Sequence, residues 1–93
     1  MPKYVIEREI PNVGDLGPAD MKSIAAKSCG VLADMTGSGT NIRWEHSYVT
    51  NDKIYCVYDA PDENAVRQHA ERGGFPANRI ERVNHVINPK TAD

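Results

Sequence analysis

At 93 residues the chain is one domain, 1–93, with room for a single modest core that removes roughly two thirds of the unfolded surface from water. Its 11 Lys and Arg against 13 Asp and Glu leave a net charge of −2. These charges are interspersed with no basic run, which argues against nucleic acid or an anionic membrane as partner.

No stretch approaches the ~18 apolar residues of a membrane span, and the segment Met1 to Arg8 has no signal-peptide core, so the expected setting is the cytoplasm. The two cysteines, Cys29 and Cys56, are too few for a disulfide scaffold and are expected as reduced, buried thiols.

Lys3 to Ile10 alternates and is rich in β-branched residues, which predicts a first strand, broken by Pro11-Asn12-Val13-Gly14-Asp15. Gly17-Pro18 opens a helix, with Pro suited to the first helical position and Asp20 in the first turn. Met21, Ile24, Ala25, Ser28, Leu32 and Met35 then recur at helical spacing until Thr36-Gly37-Ser38-Gly39 stops the helix. A second strand over 41–49 and a third over 53–59 flank Asn51-Asp52, residues that tolerate the positive φ of a tight hairpin turn.

Asp59-Ala60-Pro61-Asp62 opens a second helix, with Asp59 as its cap and Val66, His69 and Ala70 as its buried stripe. Gly73-Gly74-Phe75-Pro76 ends it. These glycines follow a helix and do not precede one, so they read as a stop and not as a phosphate loop. A fourth strand is predicted over 79–87, with residues 88–93 a frayed polar tail. The order βαββαβ predicts an α+β ferredoxin-like domain: an antiparallel sheet in the order 4-1-3-2 with both helices on one face.

The hairpin carries the only Trp, three of the four Tyr, one Cys and one His. With Asn51-Asp52 as the turn, Tyr48 lies opposite Tyr55, His46 opposite Val57 and Trp44 opposite Asp59. One face then holds Trp44, His46, Tyr48, Tyr55, Val57 and Asp59, and the other Glu45, Ser47, Val49, Ile54, Cys56 and Tyr58. Neither face reads as solvated, and the helices cover only one. A second copy of the chain, forming a homodimer, is the expected cover for the other.

Five segments carry a resemblance: Tyr4-Val5-Ile6-Glu7-Arg8, Ser28-Cys29-Gly30, Trp44-Glu45-His46-Ser47-Tyr48-Val49, Lys53-Ile54-Tyr55-Cys56-Val57-Tyr58 and His69-Ala70-Glu71-Arg72-Gly73-Gly74-Phe75-Pro76-Ala77. From Pro2 to about Pro89 the chain resembles a bacterial family of small proteins of unassigned function whose named members are called nickel-binding proteins. The resemblance implies a ferredoxin-like fold of the dimeric α+β barrel type and Ni(II) as the bound metal, with no organic cofactor. The chain departs from the family at Gly17-Pro18-Ala19-Asp20, where a Ser cap and a Glu are expected, and at the looser Gly37-Ser38-Gly39-Thr40 connection.

Neutral imidazole suits Ni(II), Zn(II) and Cu(II), so His46 and His69 are the candidate metal ligands, with Asp59 as acidic partner and Glu7, Glu45 and Cys56 as further options. The two histidines can share a metal only if the face of His46 is the helix-covered one. Against this stands the absence of any His-x-x-x-His or Cys-x-x-Cys spacing, and a lone strand histidine is often a hydrogen-bonded core or interface residue. The alternative is an isomerase-like or oxygenase-like enzyme of the dimeric barrel type. Glu7, His46, Tyr48 and Tyr58 would line its cleft, with His46 and Tyr58 or Glu7 as an acid–base pair. A third reading is a ligand-binding or interaction module. Cys56 beside Ser47 reads as packing, and His85 as structural or exposed.

Overall fold

The computed structural model describes residues 1–93. Four strands, β1 (Lys3–Glu9), β2 (Arg43–Val49), β3 (Lys53–Asp59) and β4 (Arg79–Arg82), form one antiparallel sheet in the order β2-β3-β1-β4. Two helices, α1 (Pro18–Gly37) and α2 (Glu63–Gly73), cross the same face, giving the ferredoxin-like arrangement. Single 3-10 turns sit at Val13–Asp15 and in the tail at Pro89–Ala92.

Alternation decides the layers. In β1, Tyr4, Ile6 and Arg8 are buried under the helices while Val5 and Glu7 between them are half-buried on the open face. In β3, Ile54, Cys56 and Tyr58 repeat the pattern. Val66, Ala65, His69 and Ala70 close the core from α2, as the predicted stripe requires. From α1 only Ser28 and Met35 are buried; Met21, Ile24 and Ala25 in its first half are half-buried.

The hairpin register holds at the turn end: Val49 pairs with Ile54, Tyr48 with Tyr55, Ser47 with Cys56 and His46 with Val57. It breaks between Trp44 and His46, where a bulge at Glu45 puts Trp44 opposite Tyr58 and Arg43 opposite Asp59. A bulge inserts one residue, so every side chain beyond it changes face. Trp44 therefore stands under α1, and the expected pairing with Asp59 is corrected. The turn itself is Asn51-Asp52, closed by the Thr50 amide on the Lys53 carbonyl at 2.9 Å. Neither central residue takes a positive φ. Instead the turn is held from outside: the Ile10 amide donates to the Asp52 carbonyl, the Asn12 amide to the Asp52 carboxylate, and the Gly14 amide to the Asn51 carbonyl. A Cβ on Gly14 would meet the Thr50 carbonyl oxygen at 2.7 Å, which is why the approach needs glycine.

Three further expectations are corrected. The cap of α2 is Asp62, whose carboxylate accepts from the Ala65 amide at 2.9 Å, while Asp59 ends β3. Strand β4 stops at Arg82 and does not reach 87. Cys29 is exposed on α1; Cys56 is buried, and both are free thiols.

Candidate functional site

Between α1 and the sheet lies a cavity of about 240 Å³, lined chiefly by apolar side chains, among them Met21, Ile24, Trp44 and Ile54. Its polar groups come from β1, α1, β2 and β3. Arg8 enters from β1 in a stripe otherwise made of Tyr4, Ile6 and Ile10, and is only 3 % exposed. Its Nε donates to Cys56 Sγ at 3.3 Å and its Nη1 to the Pro76 carbonyl at 2.7 Å, while Nη2 has no partner. Its guanidinium also lies 5.4 Å from the centre of the Phe75 ring, the residue that follows the α2 stop. No carboxylate reaches Arg8.

Beside it runs a chain of buried hydroxyls. Ser28 Oγ is 3.4 Å from the Tyr58 hydroxyl and 3.1 Å from His69 Nε2. His69 is fully buried between Tyr58 and Phe75, with ring centres at 5.0 and 5.6 Å, and its Nδ1 has no partner. Burial, then the neighbouring Arg8 charge, lower its pKa to about 4 against the opposing bond from Ser28. The imidazole is neutral at physiological pH. Burial pushes the Tyr58 phenol up, partly offset by Ser28.

The open face of the sheet is organised differently. His46 is exposed there, edge-on to Tyr48 with ring centres 5.0 Å apart. Val5 and Val57 pair at the centre and Tyr55 lies half-buried beside Glu7. Ion pairs occupy both ends of the strands. Lys53 binds Glu7 at 2.6 Å, and this bond holds the Glu7 carboxyl below its usual range. At the other end Lys3 binds Asp59 at 3.0 Å and also Glu45, and Arg43 binds Asp59 at 3.3 Å; Lys3 first and Arg43 second lower the Asp59 carboxyl.

Over residues 4–83 the chain matches the family described as nickel responsive protein SCO4226-like. The chain belongs to that family. The crystal structure of SCO4226 from Streptomyces coelicolor A3(2) superposes with a TM-score of 0.74 at 18 % identity, covering 91 % of this chain and 99 % of that one, a likeness of fold. No curated protein matches. No helix of the chain is long and apolar enough to cross a membrane.

The geometry separates the residues that the sequence groups together. His46 projects from the open face and His69 lies under the helices, so the sheet stands between them and they share no site in one chain. Asp59 is near neither ring as a free ligand, since both its oxygens are taken by Lys3 and Arg43. Glu7 and Glu45 are likewise paired with lysines, and Cys56 faces Arg8 on the helix side. No three His, Cys, Asp or Glu side chains converge, so a single chain does not fit nickel by itself. The proposed enzyme cleft is divided in the same way: Glu7, His46 and Tyr48 are on the open face and Tyr58 is on the other. The residues that do converge, Arg8, Ser28, Cys56, Tyr58 and His69, include two that were not singled out. Their sequence signal was present: Arg8 interrupts an apolar strand stripe and Ser28 an apolar helix stripe.

Proposed function

We propose that this chain acts as a cytoplasmic nickel-binding homodimer in which two copies appose the open faces of their sheets and His46 is the imidazole each copy brings to the metal. The observation that carries the reading is the placement of His46. It stands exposed on the sheet face that no helix covers, whereas His69 is sealed in the core. Membership in a family described as nickel responsive supports the choice of metal. One chain offers a single imidazole on that face, and a two-fold pairing doubles every donor. The face has an apolar centre at Val5 and Val57 and ion pairs at its ends, the distribution expected of an interface core and rim. Two free thiols suit a reducing compartment.

Calorimetric titration with Ni(II) at neutral pH tests the assignment. Wild type is expected to bind, His46→Ala to lose the binding event, and His69→Ala to retain it. Binding should also weaken on acidification, because only the neutral imidazole ligates. Undiminished nickel binding by His46→Ala would sink the role given to His46.

A further inference from the structure

The cavity beneath α1 belongs to none of this. It lies on the opposite side of the sheet from His46, and its wall carries one charged side chain, Arg8. A buried cation without a counter-ion is unfavourable, since desolvation is not repaid by a partner charge. Arg8 has two of its donors satisfied, by the Cys56 sulfur and the Pro76 carbonyl, and one nitrogen, Nη2, with no partner. The other polar groups on the cavity wall are the Ser28, Ser47 and Tyr58 hydroxyls and the Cys56 sulfur, and no carboxylate is among them. The rest of the lining is apolar, and the whole space is somewhat larger than the ~150 Å³ that suffices to hold a benzene ring.

We propose that this cavity binds a small monocarboxylic acid of about eight to twelve non-hydrogen atoms, its apolar body under α1 and its carboxylate at the Arg8 guanidinium. The head group supplies the missing counter-ion through a charge-assisted hydrogen bond, and the Ser28 and Tyr58 hydroxyls line the same cavity. With His69 neutral, Arg8 is the charged side chain on the cavity wall, and Lys27 Nζ lies 5.5 Å from the centre of the Phe75 ring beside it. Met21, Ile24 and Ala25 are half-buried in the first half of α1, so this end of the helix is the side from which the body enters. The proposal stands apart from the nickel reading and is tested on metal-free protein.

Trp44, the only tryptophan, lies on the cavity wall and reports on its occupancy. The probes are octanoate and octanol, which share a body and differ in the head group, titrated by Trp44 fluorescence with calorimetry in parallel. Octanoate is expected to saturate a single site and to bind at least about tenfold more tightly than octanol, the scale of a hydrogen bond to a charged group. Arg8→Met should remove that difference, and Ala25→Phe, which fills the cavity, should remove binding of both. Equal affinity for octanoate and octanol in wild type overturns the proposal, as does the absence of binding by either in both measurements. Should Arg8→Met fail to fold, the comparison of acid and alcohol on wild type still decides.

Discussion

His69 is the residue whose burial has the most direct consequence in solution. Its folded pKa is about 4, against roughly 6.5 in an unfolded chain. Between those values the unfolded state binds the proton and the folded state does not, so stability is fully present above ~6.5 and falls as pH drops toward 4. At 1.36 kcal/mol per unit the loss is on the order of 3 kcal/mol. Arg8, Ser28, Tyr58 and Phe75 surround the ring and none offers a carboxylate to reverse the sign. Urea denaturation at pH 7 and at pH 4.5 should show this fall, and His69→Gln should flatten the part that belongs to the ring; a wild type as stable at pH 4.5 as at pH 7 would contradict it. The burial of His69 was legible from its spacing with Val66 and Ala70. The side taken by Trp44 was not, because a bulge at Glu45 leaves no mark in the alternation of a strand whose two faces both carry large side chains.

At the level of elements, the ends proved harder to read than the elements themselves. Two aspartates precede α2, and either spacing allows a cap. Asp62 holds the position because its carboxylate reaches the Ala65 amide, while Asp59 is drawn into the sheet by Lys3 and Arg43. Asp62→Ala is expected to destabilise the domain by about 1 kcal/mol, measurable as a shift in the denaturation midpoint, whereas Asp59→Ala should leave the helix cap untouched. The fourth strand expected over 79–87 carries Val83, Val86 and Ile87 in its second half, yet β4 ends at Arg82. Its one neighbour is β1, which begins at Lys3, and the Val83 amide takes the last available carbonyl, that of Lys3, at 2.8 Å. Past that point no ladder exists to join, a constraint set by the length of another strand and invisible in the local sequence. The Asn51-Asp52 turn shows the same principle, since it is held by three backbone amides of the segment Ile10 to Gly14, two donating to its carbonyls and one to the Asp52 carboxylate.

For the whole molecule, the open face is the feature that a single chain leaves unresolved. Light scattering at micromolar concentration is expected to give about twice the 10.3 kDa chain mass. Val57→Lys, placed at the centre of the face opposite Val5, should yield a folded monomer. A wild-type monomer would remove the basis for the paired sheets. Fold class, strand order and the sharing of one face by both helices followed from the order of the elements and their periodicity, because those depend on chain-wide patterns that no single residue can override. The grouping of site residues failed because it depended on which face met the helices. That choice rests on how α1 and α2 pack, and both faces of the hairpin are equally suited to it by composition.

The bulge that turns Trp44 inward also shapes how copies of this protein can meet. β2 and β4 are the two edges of the sheet, where unpaired backbone groups invite another strand to add on. On β2 the ladder is interrupted at Glu45, between the charged Arg43 and the exposed His46. On β4 the edge is four residues long and three of them, Arg79, Glu81 and Arg82, are charged. Neither edge is a flat, uncharged template. Stacking of chains strand to strand, the route to open-ended fibrils, is disfavoured at both margins by charge and by the broken ladder.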